Sequence, residues 1–161
     1  MLGLSTKRRT LAFPLAVLLA AALAVGTVGV EPASADPLRG RLLTLVNRVR
    51  ASHGARHVRL SDRLSEDAKR HTRAMIRQDR LFHTRDLRRV LEPYRWRTAG
   101  EVVGCAGTLR RLVRSWLRSP SHRSVLLGRS YRRIGIGVVA TREGSLCGPG
   151  VRVWATAILY G

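Results

Sequence analysis

Between Gly100 and Arg123 the sequence GEVVGCAGTLRRLVRSWLRSPSHR gathers a carboxylate (Glu101), a thiol (Cys105) and an imidazole (His122) into one short stretch. A nucleophilic cysteine needs a thiolate held beside a base, and nothing near Cys105 in sequence supplies one. Ser121 and Ser124 flank His122, but side chains one and two positions apart on a helix do not face each other, so serine chemistry has little support. Taken singly, Glu101 is a strand carboxylate and His122 a histidine at the start of a helix.

The elements that must position these groups follow from periodicity. Thr108 can cap a helix whose apolar stripe is Leu109, Leu112, Val113, Trp116 and Leu117, with Arg110, Arg111, Arg114 and Arg118 on the opposite face. Pro120 stops that helix at Ser119, and the Ser119-Pro120 pair predicts the cap and first residue of a second, short helix carrying His122 and ending at Gly128. Upstream, Leu42, Leu45, Val46 and Val49 predict a helix over 38–53, closed by Gly54, with His53 and His57 at the loop that follows. Ser61 caps a further helix over 62–80, with acids early and bases late, and with Leu64, Ala68, His71 and Met75 inward. His71 in that stripe reads as a hydrogen-bonded core residue. His83 follows Leu81 and Phe82, which places its ring at a core edge. Asp86 to Leu91 predicts a short helix ended by Pro93, and 94–98 a loop.

After Gly128 the alternation of Ile134, Ile136, Val138 and Ala140 against Gly135, Gly137 and Val139 predicts a strand whose glycine face lets a helix approach closely. Residues 141–150 form a hairpin turn, and 151–160 a return strand apolar on both faces, so helices must cover both. Helices followed by an antiparallel hairpin give an α+β class.

Residues 1–35 stand apart. Lys7, Arg8 and Arg9 precede an uncharged apolar run from Leu11 to Val30, and Ala33-Ser34-Ala35 supplies the small-residue pattern of a cleavable signal peptide, so the expected mature domain is 36–161. The run is long enough to span a bilayer, so an uncleaved anchor is the competing reading; Gly26, Gly29, Pro32 and the A-x-A site favour cleavage. The leader holds three of the 30 basic and one of the 10 acidic residues, which leaves 27 against 9, a net +18. Except for Lys69 every mature basic residue is arginine, a bidentate binder of phosphate and carboxylate, although a coding bias toward arginine would give the same count. Cys105 and Cys147 are the only cysteines, and outside the cytoplasm two cysteines pair; closing 42 residues is worth about 4 kcal/mol in the chain-entropy model.

The order GE, W-x-x-SP-x-HR, LL, Y-x-x-IGIGV and VWATAILYG resembles the CAP superfamily of cysteine-rich secretory and pathogenesis-related proteins, in its short secreted bacterial form. Upstream LVNRVRASHG, LS-x-x-L-S-x-x-A-x-x-H-x-x-x-M and LFHT extend the likeness over most of 42–161. The resemblance implies an α-β-α sandwich, a small antiparallel sheet between helical layers, and a structural role for the LVN-x-x-R residues Asn47 and Arg50. It also implies a cleft in which His83, Glu101 and His122 meet. Val102 stands where the family usually has Asn, and the segment 116–119 lacks the second acidic residue of eukaryotic members, so at most three of four cleft residues are present. Two imidazoles and a carboxylate are the ligand set of a catalytic zinc with an open position, although separations of 18 and 21 residues without H-E-x-x-H give this weak support in sequence.

Three functions follow as expectations. The first is a secreted, non-enzymatic binding module for an envelope, lipid or anionic polymer ligand, with Arg110, Arg111, Arg114, Arg118 and Arg123 as its basic surface. The second is a zinc-dependent hydrolase using His83, Glu101 and His122. The third is exported nucleic-acid binding, disfavoured because export puts envelope polymers closer at hand than DNA.

Overall fold

Glycines 135 and 137 set the spacing of the core. A Cβ on Gly137 would lie 2.2 Å from the backbone of Ala68 and Lys69, and one on Gly135 2.4 Å from Leu64, so the helix that carries those residues rests directly on the strand. The computed structural model describes Leu2 and residues 36–161; the leader reading falls outside the described residues. In chain order the elements are α1 (Pro37–Ser52), β1 (Arg59–Leu60), α2 (Asp62–Arg77), α3 (Leu87–Leu91), β2 (Ala99–Ala106), α4 (Leu109–Arg118), α5 (Pro120–Leu127), β3 (Arg133–Thr141) and β4 (Arg152–Tyr160).

The strands form one sheet in the order β1-β3-β4-β2, with β3/β4 and β4/β2 antiparallel. The sheet is mixed rather than purely antiparallel, because β1 pairs parallel with β3 through Arg59 and Leu60. Two residues carry no legible period, which is why the sequence gives no sign of β1. Ile134, Ile136 and Val138 of β3, with Val102 of β2 and Ala155, Ala157 and Leu159 of β4, pack with Leu42 and Val46 of α1, Leu112, Val113 and Trp116 of α4 and Leu126 of α5. On the other face Ile158 and Tyr160 meet Leu64 and Ala68 of α2, while Trp154 and Val103 meet Met75 and Ile76. The sandwich of α1, α4 and α5 over the sheet and α2 and α3 beneath it is the expected α+β, α-β-α arrangement.

Caps fall where side chains can supply them. Asp36, Ser61, Asp86 and Thr108 accept from backbone N–H groups of the first turns of α1, α2, α3 and α4. Helix α2 ends at Arg77, three residues before the expected Arg80. Asp79 takes φ +43°, and its carboxylate accepts from Ser145 N, Ser145 Oγ and Leu146 N of the β3–β4 hairpin. A long-range contact thus captures the chain just past the helix. These bonds, led by the Ser145 hydroxyl, hold the Asp79 carboxyl below its ordinary range.

Arg50 of α1 is fully buried with no carboxylate partner; its guanidinium donates to Arg56 O at 2.8 Å, Leu126 O at 2.6 Å and Gly128 O at 3.1 Å. The last two are carbonyls at the C-terminal end of α5, so Arg50 caps that helix across the layer and fixes its position. Burial, reinforced by Arg132, lowers its pKa. Asn47 clasps the Val58 backbone in both directions, at 3.0 and 2.9 Å. Cys105 at the end of β2 and Cys147 in the hairpin form the disulfide.

Candidate functional site

Strand β2 lies at the edge of the sheet, and there the two helical layers come within reach of each other. Along β2, Gly100, Val102 and Gly104 face α4 and α5, so Glu101 and Val103 face the α2 side. Gly104 leaves room for Trp116, whose indole N–H donates to Val103 O at 2.9 Å and seals α4 onto the edge strand. On the opposite side the segment leaving α2 is fixed by His71, whose Nε2 bonds Phe82 O at 2.8 Å while its ring packs edge-on against Phe82. His71 is therefore the positioning core residue that its place in the α2 stripe suggests. The residue after Phe82 is His83.

Three residues distant in sequence converge at this edge. His83 Nδ1 donates to Glu101 Oε2 at 2.8 Å, and the His83 and His122 rings lie 5.9 Å apart, tilted by 34°. Glu101 is nearly enclosed, with 4% of its side chain exposed, whereas the His83 side chain is 56% exposed. The carboxylate has a further partner that sequence reasoning missed: Thr84 donates its N–H to Oε2 at 2.9 Å and its hydroxyl to Oε1 at 2.6 Å. Three donors thus hold a buried charge. A second missed residue is Ser119. By position it is the N-cap of α5, but it makes no capping bond; its hydroxyl instead lies 3.0 Å from His122 Nδ1. The signal for both was adjacency, a hydroxyl next to His83 and another three residues before His122, but neither spacing announces a bond. Ser121 and Ser124 do not bond the ring; Ser124 Oγ donates to Ser121 O.

Each imidazole therefore has its Nδ1 engaged, by Glu101 or by Ser119, and neither Nε2 bonds any described residue. His122 has its pKa lowered, first by burial and then by the neighbouring His83, so the neutral ring is favoured.

This arrangement bears on the zinc expectation. Glu101 spends both oxygens on His83 and Thr84, which makes it the group that orients the His83 ring rather than a third ligand. Among the described residues no group of three or more His, Cys, Asp or Glu side chains has the geometry to hold a metal ion. The His83, Glu101, His122 set thus converges, but the donors present do not fit a three-ligand catalytic zinc. Val102, where the family usually has a polar residue, is fully buried in the core.

The family model for the cysteine-rich secretory protein family, CAP, matches residues 43–157, more than half of the chain. The chain belongs to the CAP family. No curated protein matches its sequence. Among solved structures, an outer surface protein from Borrelia burgdorferi is 18% identical with a TM-score of 0.60, over 75% of this chain and 90% of that one. An extracellular protein containing an SCP domain from Bacillus anthracis is 18% identical with a TM-score of 0.57, and a cysteine-rich secretory protein from Staphylococcus aureus is 20% identical with the same score. They align with 76% and 81% of this chain, which spans only 39% and 41% of their own lengths. At these identities the likeness shows the CAP fold.

The basic surface lies on α4 and α5. Arg110, Arg111, Arg114 and Arg118 of α4 and Arg123 of α5 are all exposed, and none forms an ion pair among the described residues. No acidic residue occurs between Glu101 and Glu143, so nothing in the intervening chain can neutralise them locally. No described helix is long and apolar enough to cross a membrane.

Proposed function

We propose that this CAP domain is a secreted, non-enzymatic binding module that holds an anionic polymer or lipid of the cell envelope on the arginine face of α4 and α5. The observation that carries the reading is the set of five exposed, unpaired arginines on two adjoining helices. Arg110 and Arg114, Arg111 and Arg114, and Arg114 and Arg118 stand three or four residues apart, where like charges repel by about 0.2–0.5 kcal/mol per pair. An anionic ligand relieves that repulsion, and arginine recognises phosphate and carboxylate bidentately. Location outside the cytoplasm is supported by the disulfide, by the signal-like leader in the sequence, and by the outer-surface and extracellular descriptions of the structural relatives.

Charge reversal tests the reading. Arg111→Glu, Arg114→Glu and Arg118→Glu together should remove adsorption of the protein to isolated envelopes rich in phosphate polymers, with the melting temperature kept. Adsorption that survives the triple change, or that is lost equally with Arg59→Glu, an arginine outside α4 and α5, would reject the face. DNA cellulose serves as the competing surface: retention there that exceeds retention on envelopes at matched salt would move the partner to nucleic acid.

A further inference from the structure

Where the chain approaches β2, on the α2–α3 side of the sheet, lies a pocket of about 470 Å³ that shares no residue with the histidine pair. Its volume falls within the span of about 300–1,000 Å³ typical of small-molecule sites. Its walls are Tyr94, Arg95, Trp96, Arg97 and Gly161, so two aromatic side chains alternate with two guanidinium groups along four consecutive residues. Arg95 and Arg97 are exposed, and neither forms an ion pair among the described residues. No acidic side chain lines the pocket.

Main-chain bonds fix this wall although it belongs to no helix or strand. Tyr94 N donates to Leu91 O at 2.9 Å, Arg97 N and Thr98 N both donate to Gly161 O at 2.8 and 3.1 Å, and Gly161 N returns to Thr98 O at 3.1 Å. The rings are anchored from behind, where Tyr94 and Trp96 pack on Leu64, Ala68, Leu91, Ile158 and Tyr160. Tyr94 is engaged further, by the Tyr160 ring at 5.2 Å and by the Arg63 guanidinium at 5.8 Å, while the Arg88 guanidinium stands 5.8 Å from the Trp96 ring. A wall held in this way loses little conformational freedom when a ligand arrives. Trp96 is half-buried, whereas the other two tryptophans of the chain, Trp116 and Trp154, are each 1% exposed. Trp96 is thus the tryptophan that a solute can reach.

We infer that this pocket binds an acidic pyranose, a sugar ring bearing a carboxylate or a phosphate, with the ring against Trp96 and the acid group on Arg95 and Arg97. Two guanidinium groups without counter-charges set the sign of the ligand and favour an oxyanion that they can grip bidentately. The indole selects the rest, because a bare inorganic anion would leave the aromatic wall wet. A nucleotide matches the charge equally but calls for an uncovered aromatic plane on which its base can stack, and the Trp96 ring already carries Arg88. A pyranose asks less of the wall: a patch of C–H contact, and donors for its hydroxyl oxygens, which the guanidinium groups supply. The inference takes from the envelope reading the expectation that acidic glycans lie at hand, and it assigns a surface in the helical layer opposite α4 and α5.

The test titrates the purified protein with glucuronate and with glucose 6-phosphate, beside glucose, inorganic phosphate and adenosine monophosphate at matched ionic strength. Because Trp116 and Trp154 are enclosed, acrylamide quenching of the indole fluorescence reports on Trp96. Both acidic sugars should shield it saturably, with glucose and inorganic phosphate weaker by roughly tenfold or more. Calorimetry, which does not depend on the indole, should show Arg95→Gln with Arg97→Gln weakening both acidic sugars by roughly tenfold or more, and Trp96→Leu bringing glucose 6-phosphate down to the level of inorganic phosphate. Circular dichroism melting of each variant establishes that it folds, and the exposed arginine pair carries the test should Trp96→Leu not fold. The arginine-pair change should leave adsorption to envelopes in place, whereas the α4 triple reversal should remove adsorption and leave glucuronate binding unchanged, so the two readings fail separately. No saturable binding, glucose bound as well as glucuronate, adenosine monophosphate bound more tightly than either acidic sugar, or both acidic sugars bound equally by the folded arginine-pair variant would each overturn the inference.

Discussion

Replacing Glu101 probes whether the CAP cleft is held in place by one buried charge. Its carboxylate accepts three hydrogen bonds, from His83 Nδ1–H, Thr84 N–H and the Thr84 hydroxyl, at 2.8, 2.9 and 2.6 Å. Hydrogen bonds to a charged group contribute about 1.5–3 kcal/mol each. The donors sit on residues that water reaches, His83 being 56% exposed on its side chain, so part of that is recovered when the acceptor is removed. Glu101→Ala should therefore cost about 2–4 kcal/mol, a fall in melting temperature of roughly 10 °C for a domain of this size. Glu101→Gln is a finer cut. Its carbonyl can take the place of Oε2 and accept from His83 and Thr84 N, while its amide replaces Oε1 and donates to the Thr84 hydroxyl, which rotates to accept. Only the charge is lost, about 1 kcal/mol or roughly 3–5 °C. Thermal melting gives the magnitudes, and ring nitrogen NMR of His83 gives the cause. The proton should stay on Nδ1 in wild type and the Gln variant and lose that preference in the Ala variant. An Ala variant melting within about 1 °C of wild type, or a Gln variant as damaging as Ala, would refute the reasoning.

Two further outcomes follow from the fold. Gly137→Ala sets a methyl group 2.2 Å from the α2 backbone, which cannot yield as a flexible side chain would, so it should destabilise by about 3 kcal/mol or more in urea unfolding, while Gly40→Ala, with open space around it, should stabilise by about 1 kcal/mol. Asp79, whose pKa is lowered chiefly by the Ser145 hydroxyl, contributes stability above its ordinary 3.8 that is lost as pH falls through the depressed folded value. Hydrogen exchange of Ser145 and Leu146 should accordingly accelerate only in strong acid in wild type and already at neutral pH in Asp79→Ala; equal rates in both proteins would reject the clasp.

Much of the architecture was legible because local rules and tertiary demands agree. The stripe of Leu109, Leu112, Val113, Trp116 and Leu117 and the Thr108 cap gave α4; Pro120 and Gly128 bracketed α5; the glycine alternation gave β3 and its close contact with α2. Where they diverged, a long-range contact decided. Asp79 is turned out of the helical register by bonds to residues 66 and 67 positions away, and β1 exists only because β3 offers Arg59 and Leu60 a partner. Arg50 could be placed at a signature position but not connected, since its acceptors Leu126 and Gly128 lie across the fold.

The candidate site divides in the same way. Residue types and order determined that the protein is a strongly basic α+β chain and that Cys105 and Cys147 are its only cysteines, while the grouping of His83, Glu101 and His122 came from the resemblance to the CAP superfamily. Only the tertiary structure decided what each does. It buried Glu101 against His83 and Thr84, brought Ser119 to His122, and opened a groove between α1 and α4 that no motif marks. The physical reason is that periodicity and capping are written into near neighbours, whereas the direction of a hydrogen bond and the shape of a cavity depend on how packed layers meet at an edge.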